Sequence, residues 1–501
     1  MLNPSGERVI TDQEYIDTLP ATVKSVRACF DSRKTRPESW RRAQLELLLA
    51  ILSDHREEIC GALKQDMGRD NFSSFITETA QIEVEIAYAL KHLHSWMKPE
   101  SLSLGVANKP GSAHLLPEPY GVVLIMAAWN FPVLTLLQPA VGAIAAGNCV
   151  ILKPASLAGN TSIVLARLLR QHMDTDAIRV VEGGVETASV LLKERFDKIM
   201  YTGSSRIGKV VARAAAEYLT PVDLELGGKN PCILTPNVKS IKVAADRIAW
   251  AKFAVNTGQV CIAPDYIMVH ESIADSFVAA ILESIKQFFG KDPKTCENYC
   301  RIINHVHVNR LKSILESDKQ FLVYGGVLES DTKYIMPSIL DFKNDMHAFA
   351  NSAAMKDEIF GPILPIVVFK ESIEECINFI NGNDKPLSLY VFGSKKDGEL
   401  LADRTSSGSV TLNDCIMQKA EMSIPFGGIG MSGSGRYTGK YSFETFSHYK
   451  PVLLKGLKFD LDARYPPYTD KKKTLFKVLH EVSTGSKGMF ALGMGMLKYK
   501  N

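Results

Sequence analysis

The sequence predicts an α/β protein with two doubly wound parallel-sheet domains and a small additional segment, and three observations lead to this fold class. The chain of 501 residues, 46% of them hydrophobic, is long enough for more than one core. Short apolar runs alternate with segments of helical periodicity, as in the βαβ units of a parallel sheet. The alternation pauses near Gly227 and Gly228 and then resumes, which predicts two domains that meet there.

The N-terminal half begins with helices and continues with alternating strands and helices. Leu45, Leu48 and Leu52 recur at helical spacing among charged residues, which predicts helices in the first hundred residues. The apolar run 121–128 predicts a strand covered on both faces. Three further strands are predicted in this half, over 149–152, 178–181 and 198–202.

The C-terminal half repeats the alternation and ends in an appendage. Helices are predicted over 241–253 and 273–289, and strands over 266–269, 363–369 and 387–392. In the segment 457–501, Leu475, Leu479 and Val482 fall on one face of a predicted helix. The Met- and Gly-rich run that follows, over 488–497, is too short to span a membrane.

Composition and charge exclude several classes of protein. The net charge of +3 is close to neutral, so no nucleic-acid partner is predicted. Nine scattered cysteines and a start without a basic region followed by an apolar one favour a cytoplasmic location. No apolar run reaches the roughly 18 residues that a membrane-spanning helix needs.

Three residues are candidates for catalysis. Cys261 ends the run NTGQVC, and a Cys shortly after a Gly-containing turn can lie close to backbone N–H groups that favour a thiolate; a lone Cys is nevertheless more often buried and inert. Glu225, in LELGGK, lies at an apolar strand end where desolvation suits a general base, unless it faces solvent. Asn130 follows the first apolar strand, where its amide can donate to an oxyanion or simply form a turn.

A candidate phosphate site and a candidate metal site are both weaker. GSSRIG over 203–208 lies between a strand and a helix that Ser204 or Ser205 can cap, and a helix N-terminus attracts phosphate. The run lacks G-x-G-x-x-G and is a poor dinucleotide fingerprint. The spacing of Cys296, Cys300, His305 and His307 is shorter than in structural zinc sites, so no metal is predicted.

Together these segments resemble the aldehyde dehydrogenase superfamily, and within it the class 3 and fatty aldehyde dehydrogenase branch. The resemblance runs from about Val23 to Pro467 and keeps its motifs in one order. The motifs are EPYGVVLIMAAWNFP, QPAVGAIAAGNCVILKPAS, YTGSSRIGK, LTPVDLELGGKNPC, NTGQVCIAPDY, DEIFGPILPIV and PFGGIGMSGSGRYTGKYSFETFSHYKP.

The resemblance implies a mechanism and a cofactor. Cys261 would attack the aldehyde, the Asn130 amide and the Cys261 N–H would hold the oxyanion, and Glu225 would activate the water that hydrolyses the thioester. NAD or NADP would be the cofactor. The residues implied in its binding are Lys153 and Glu358 at the riboses, Phe360 beside the nicotinamide, Gly203 and Ser204 at the pyrophosphate, and Ser156 and Gly208 in the same site.

The resemblance also implies a domain order and a homodimer. The chain would comprise a Rossmann-like cofactor domain with N-terminal helices and a bridging strand near 110–118 (1–227), a catalytic domain (228–428), an oligomerisation and return segment (429–457) and a C-terminal tail (458–501). The tail would dock on the partner subunit, remain loose or make a weak contact with a membrane surface through Lys471, Lys472 and Lys473.

Two departures from the family pattern affect specificity. Ser156 stands where the family has Glu three residues after Lys153; without that carboxylate a 2′-phosphate is not repelled, so NADP should be accepted beside NAD. WAKFAVNTGQVC is one residue longer than usual between Trp250 and Asn256, and one inserted residue turns a helix by about 100 degrees. Side chains near the aldehyde would then be re-aimed.

The leading functional prediction is NAD(P)-dependent oxidation of small-molecule aldehydes, medium- or long-chain aliphatic or aromatic, in lipid metabolism. One alternative is a catalytically idle structural protein of the same fold, and another is a cofactor-independent esterase that uses the same Cys261.

Overall fold

A computed structural model describes residues 12–370, 372–458, 460–485 and 494. These residues form two compact units. The larger comprises the described residues as far as Leu93 together with Pro119–Phe446, and the smaller comprises His94–Glu118 and the described residues from Ser447 onward.

The helices cluster before the first parallel strand and then alternate with strands. Their bounds in the described chain are α1 (Asp12–Asp17), α2 (Leu19–Asp31), α3 (Glu38–Asp54), α4 (Arg56–Met67), α5 (Asn71–Ser74), α6 (Ala80–Trp96), α7 (Leu134–Ala146), α8 (Gly159–His172), α9 (Val185–Leu191), α10 (Ser205–Ala216), α11 (Ile241–Ala249), α12 (Ala274–Phe289), α13 (His305–Ser317), α14 (Met346–Ala350), α15 (Ala353–Lys356), α16 (Ile373–Asn381), α17 (Lys395–Arg404), α18 (Lys440–Thr445) and α19 (Asp470–Ser483).

The strands of the described chain are mostly short. Their bounds are β1 (Glu100–Leu102), β2 (Gly111–Pro119), β3 (Val122–Met126), β4 (Cys149–Lys153), β5 (Ile178–Val180), β6 (Lys198–Gly203), β7 (Val222–Leu226), β8 (Pro231–Leu234), β9 (Tyr266–His270), β10 (Leu322–Tyr324), β11 (Leu328–Glu329), β12 (Tyr334–Ile335), β13 (Ser338–Asp341), β14 (Ile363–Phe369), β15 (Ser388–Phe392), β16 (Ser409–Leu412), β17 (Gly433–Ser434) and β18 (Ser447–Lys455).

The described part of the larger unit contains two large sheets and the two-stranded antiparallel pair β11-β12, and the predicted α/β class is confirmed. The first sheet has the order β17-β7-β6-β3-β4-β5 and is parallel apart from β17. Every residue of β3 and β4 is buried, as expected of strands covered on both faces. The second sheet has the order β10-β13-β14-β9-β8-β15-β16 and is parallel apart from β10. Chain positions 227 and 228 lie between β7 of the first sheet and β8 of the second.

The segment before Cys261 contains a π-helical turn. α11 continues into the turn Trp250–Ala254, in which the N–H of Val255 donates to the carbonyl of Trp250 at 3.0 Å. A π turn spans one residue more than an α turn. A π turn can accommodate the extra residue that the sequence indicates before Asn256 without rotating the residues that follow.

The smaller unit pairs a three-stranded sheet with the C-terminal helix. The sheet has the order β1-β2-β18, and β2 covers the strand predicted near 110–118. Leu475 and Leu479 of α19 are buried against Ala463. The predicted apolar face of this helix is therefore covered within the unit itself.

The tail differs from a simple basic membrane-binding segment. Lys472 is buried; its ammonium group donates to the carbonyl of Tyr465 at 2.8 Å and pairs with Asp462 at 3.1 Å. Apart from Met494, the predicted Met- and Gly-rich run over 488–497 lies outside the described residues. Within the part of the chain that is described, no helix is both long and apolar enough to cross a membrane.

Candidate active site

A cavity of about 1120 Å³ in the larger unit opens at the carboxyl ends of β3, β4, β6 and β7. Ligands of open parallel sheets bind at such ends. The predicted site residues that line it are Asn130, Lys153, Ser156, Gly203, Ser204, Glu225, Cys261, Glu358 and Phe360. Gly208 does not line the cavity; a Cβ there would lie 2.8 Å from Leu226 Cδ2, so this glycine allows α10 to pack closely on β7.

Cys261 follows a tight left-handed turn. Asn256, Thr257 and Gly258 have φ angles of 47°, 54° and 76°. A Cβ on Gly258 would lie 2.5 Å from the carbonyl oxygen of Gly361, which leaves room for glycine only. Positive φ angles at two non-glycine residues are strained and need the surrounding structure to hold them.

Burial of the Cys261 side chain favours the neutral thiol over the thiolate. The residue is half-buried, and burial raises the pKa of its thiol well above the usual value, with the carboxyl groups of Glu225 and Glu358 adding to the effect. Attack on a carbonyl carbon therefore requires that this proton leave for a base.

Asn130 is buried beside the turn that leads to Cys261. Its side-chain amide donates to the backbone carbonyl of Gln259 at 3.1 Å. The backbone carbonyl of Asn130 accepts from the side-chain amide of Asn256 at 3.0 Å. An Asn amide carries two N–H groups. The second has no acceptor among the described residues, so it is available to a ligand in the cavity.

Glu225 occupies the carboxyl end of β7 and is 3% exposed. Its Oε1 has no hydrogen-bond partner within the described chain. Burial raises the pKa of this carboxyl to about 8, although the ammonium group of Lys419 acts in the opposite direction. A carboxyl with this pKa can take up and release a proton near neutral pH.

Lys153 and Ser156 lie on the same side of the cavity, where β4 ends. The Lys153 ammonium donates to the carbonyl of Gly183 at 2.8 Å, and burial lowers its pKa to about 8. Ser156 is exposed. Because serine is uncharged, position 156 places no carboxylate beside this cation.

Gly203 and Ser204 connect β6 to α10. A Cβ on Gly203 would lie 2.2 Å from Tyr201 Oη, so a larger residue there would require the Tyr201 side chain to move. Ser204 caps α10 by accepting from the N–H of Ile207 at 3.5 Å. The N-terminus of this helix therefore faces the cavity wall.

Glu358 and Phe360 also line the cavity. Burial and Asp265 raise the pKa of the Glu358 carboxyl to about 8, and its Oε1 has no hydrogen-bond partner among the residues described. The ring of Phe360 lies 5.3 Å from that of Trp129, edge to face. Phe360 has a φ of 48°, which is rare for an aromatic residue.

These groups fit a dinucleotide. A helix N-terminus binds phosphate, while a lysine and a carboxyl with an unpaired oxygen bind ribose hydroxyls. The unpartnered Oε1 of Glu358 is the most specific of these observations, because buried polar atoms in proteins are seldom left without a partner.

Comparisons with known proteins agree with this geometry. The pattern of the aldehyde dehydrogenase family matches residues 1–452. Rat aldehyde dehydrogenase family 3 member A2 is 45% identical over 453 residues, which are 90% of this chain and 92% of that protein. The dog dimeric NADP-preferring aldehyde dehydrogenase is 43% identical over 449 residues, 89% of this chain and 97% of that protein.

The chain belongs to the aldehyde dehydrogenase family. The solved structure of substrate-bound AldH from Staphylococcus aureus has a TM-score of 0.88 and 38% identity, covering 92% of this chain and 99% of that one. The resemblance found in the sequence is thereby confirmed, and the protein is an NAD(P)-dependent aldehyde dehydrogenase.

The structure adds a buried network that the sequence did not indicate in this aldehyde dehydrogenase. The guanidinium of Arg69 pairs with Glu78 and donates to the carbonyl of Asn130 at 2.6 Å. The other oxygen of Glu78 accepts from the N–H groups of Val133 and Leu134, at 2.7 and 3.0 Å. The network therefore fixes the backbone on both sides of Phe131. No motif or spacing marks either residue.

Lys419 is a second residue that the sequence analysis missed. It lies in a 3₁₀ turn, Met417–Ala420, seven residues before Phe426 of the PFGGIG motif, and lines the cavity together with Cys261 and Glu225. Its nearness to the motif was the only signal available.

Of the cysteines and histidines considered for metal binding, His307 lines the cavity, whereas Cys296, Cys300 and His305 do not. Cys300 is buried, and the ring of His307 packs 5.1 Å from that of Trp129. Counting only the described positions, the enzyme has no group of three His, Cys, Asp or Glu side chains that could hold a metal ion.

Proposed function

We propose that this enzyme oxidises medium- or long-chain aliphatic and aromatic aldehydes to carboxylic acids through a thioester on Cys261. The observation that carries the proposal is the presence of the Cys261 thiol, the Glu225 carboxyl and the free N–H of Asn130 in one cavity. A nucleophile, a base and an oxyanion donor are what acyl chemistry on an aldehyde requires.

The reacting residues would act in order. The Glu225 carboxylate takes the proton of the Cys261 thiol, and the sulfur attacks the carbonyl carbon to form a thiohemiacetal, whose oxyanion is held by the Asn130 amide and the Cys261 N–H. Glu225 then releases this proton to solvent before hydrolysis. After oxidation, the Glu225 carboxylate accepts a proton from the water that hydrolyses the thioester. The raised pKa of Glu225 makes it basic enough for this step and leaves part of it ionised near neutral pH.

The cofactor supplies the hydride acceptor. Lys153 and Glu358 would bind ribose hydroxyls, Gly203 and Ser204 would bind the pyrophosphate at the N-terminus of α10, and Phe360 would lie beside the nicotinamide. Gly208 would contribute by letting α10 approach β7. This assignment explains why the Oε1 of Glu358 has no partner within the described protein.

NADP would be used beside NAD. Ser156 offers no negative charge to repel a 2′-phosphate, and Lys153 lies three residues before it. The dog relative is named NADP-preferring, which supports the same conclusion.

The cavity walls support a substrate with a hydrocarbon or aromatic body. Phe131, Leu134, Trp250 and Phe426 line it. Burying apolar surface against such walls contributes about 25 cal/mol per Å². Aldehydes derived from lipids have this character, so a role in lipid metabolism follows from the proposal.

Assembly and location are proposed from more general features. A homodimer is supported by the name of the dimeric dog relative, and the segment 429–457 is the proposed contact. All nine cysteines are free, which suits the reducing cytoplasm. Contact of the tail with a membrane surface would depend on Lys471 and Lys473, because Lys472 is paired within the smaller unit.

Replacing the nucleophile tests the proposal. Cys261→Ser should lower NAD(P)H formation from hexanal or benzaldehyde by at least about 10³-fold, because a hydroxyl is a far weaker nucleophile. Cys296→Ser is the matched control, since Cys296 is also half-buried but does not line the cavity. Wild-type rates in Cys261→Ser would overturn the mechanism. A wild-type enzyme that hydrolyses esters without cofactor and oxidises no aldehyde would instead be an esterase.

A further inference from the structure

Lys419 is a buried cation in the aldehyde cavity that the proposed reaction does not use. The residue is 7% exposed. Its Nζ donates to Gln138 Oε1 at 2.6 Å and lies 3.4 Å from Thr438 Oγ1. A lysine ammonium carries three N–H groups, and these are its only acceptors among the residues described. Its hydrogen-bonding capacity is therefore not filled.

The buried carboxyl group of Glu85 is separated from Lys419 by the Gln138 amide. Gln138 Nε2 donates to one oxygen of Glu85 at 3.2 Å. The other oxygen of Glu85 accepts from the N–H of Gly439 at 2.8 Å and from Ser442 at 3.0 Å. Glu85 is thus satisfied by other donors and balances the charge of Lys419 only at a distance.

Two aromatic rings flank the ammonium group. Nζ lies 4.7 Å from the ring centroid of Phe426 and 4.6 Å from that of Tyr437, and both rings line the same cavity. Aromatic faces attract a cation without accepting a conventional hydrogen bond. Burial lowers the pKa of Lys419 to about 8, while Glu85, Glu225 and Cys261 act to raise it. Such a buried cation gains free energy from an additional acceptor.

The position of Lys419 distinguishes it from the cofactor residues. Lys153 and Ser204 stand at the ends of β4 and β6, whereas Lys419 contacts α7 through Gln138 and packs against Phe426. An anion that reaches Lys419 would therefore belong to the aldehyde. Charge-assisted hydrogen bonds to a carboxylate are stronger than those to a neutral acceptor.

We propose that Lys419 binds a carboxylate on the substrate itself, so that the enzyme prefers aldehydes carrying a distal carboxylate over alkyl aldehydes of equal length. The inference rests on the proposed function, because it assigns a substrate class to the cavity that contains Cys261. The hydrocarbon part of such a substrate still packs on the apolar walls, and Lys419 decides which distal group is preferred.

The experiment compares matched pairs of aldehydes with the full-length enzyme. The pairs are 6-oxohexanoate with hexanal and 9-oxononanoate with nonanal, in which the distal group is too far from the carbonyl to alter its reactivity. For each pair the ratio of kcat/KM values is measured, which cancels any effect of a variant common to both aldehydes. We expect the carboxylate member to be preferred in at least one pair.

Variants at position 419 connect this preference to the lysine. Lys419→Met keeps the length of the side chain but removes the charge, and should lower the carboxylate-to-alkyl ratio by about 10- to 100-fold. Lys419→Arg should retain most of the ratio. Lys198→Met is the matched control: Lys198 is also buried and pairs with Asp223 at 2.6 Å, but it does not line the cavity. Its ratio should equal that of the wild type.

A ratio in Lys419→Met equal to that of the wild type would overturn the inference. A measurement on the wild type alone covers the case in which this variant does not fold: hexanoate should inhibit hexanal oxidation more strongly than the neutral hexanamide of equal length, and equal inhibition counts against the inference. Failure of the wild type to oxidise any of the four aldehydes would instead overturn the proposed function.

Discussion

Gly433 lies directly opposite Glu225 in the antiparallel pair formed by β17 and β7. Here the chain returns from the second sheet to the first and adds a two-residue strand beside the proposed general base. Gly433 has a φ of 135°, and a Cβ on it would lie 2.0 Å from the carbonyl oxygen of Leu224. The return segment can therefore support the strand end of Glu225 only with glycine at this position.

Replacing this glycine should affect both stability and catalysis. Gly433→Ala should lower the free energy of unfolding by more than about 1 kcal/mol, because the Cβ meets backbone and the φ angle is unfavourable. Hydrolysis of the thioester should also slow, since the strand end that carries Glu225 must shift. Urea unfolding and single-turnover kinetics measure the two effects.

Gly430→Ala provides the control for this change. Gly430 also has a positive φ, 64°, but its Cβ would only reach the Lys385 side chain at 3.5 Å. Gly430→Ala should lower the free energy of unfolding by only about 1 kcal/mol, which is the cost of the unfavourable φ angle. Equal losses in both variants would show that contact with Leu224 is unimportant.

The pH dependence of thioester hydrolysis should report the pKa of Glu225. Only the ionised carboxylate can accept a proton, so the rate should rise with pH and level off above about 8. Below that pH it should fall tenfold per unit. Glu225→Gln should remove this limb and lower the rate by about 10²- to 10⁴-fold.

Glu358→Gln separates this prediction from other groups that titrate in the same range. The Glu358 carboxyl also has a pKa of about 8, but it is assigned to the cofactor ribose. This variant should raise KM for the cofactor and keep the pH limb of hydrolysis. If Glu358→Gln lost the pH dependence of hydrolysis, that dependence would arise from Glu358 and the prediction for Glu225 would be wrong.

Cofactor choice should respond to charge at position 156. Ser156→Glu should lower kcat/KM for NADP by at least about tenfold while NAD remains a good cofactor, because like charges about 4 Å apart repel by about 1 to 4 kcal/mol near a surface. Ser156→Gln adds similar bulk without charge and should leave the ratio near that of the wild type. Similar ratios in both variants would contradict an electrostatic origin.

The buried pair of Arg69 and Glu78 should be important for stability. Arg69→Met leaves the Glu78 carboxylate buried without its cation and should destabilise the protein by about 3 to 5 kcal/mol. The exposed pair of Arg404 and Glu374, at 2.9 Å, is the comparison, and Arg404→Met should cost about 1 kcal/mol or less. Chemical unfolding of both variants tests the difference. Comparable losses would mean that burial does not matter here.

Much of the fold could be predicted because its signals are local. The apolar runs of β3, β4, β9 and β14 and the helical spacing of the leucines reflect burial of each element in turn. The sequence does not define the bounds of β7, because VDLEL alternates polar and apolar residues, and the structure shows that its polar side chains are buried as well. β17 has only two residues and exists because it pairs with β7.

In the site, too, residues in local sequence motifs could be predicted, whereas residues that depend on distant contacts could not. Cys261, Glu225 and Asn130 stand in motifs at strand ends or turns, so sequence alone could propose them. Lys419 and Arg69 could not be found in this way, because their environments depend on contacts with residues 281 and 61 positions away. In the sequence a buried lysine looks like an exposed one.

The π turn at Trp250–Ala254 allows the number of residues before Cys261 to differ without a change in the position of Cys261. The number of residues before the nucleophile changes by one, and the turn takes up the difference in its own widened backbone. The left-handed turn at 256–258 can therefore keep its packing against the Gly361 carbonyl. A change in chain length at this point can therefore leave the position of the Cys261 sulfur beside Asn130 unchanged.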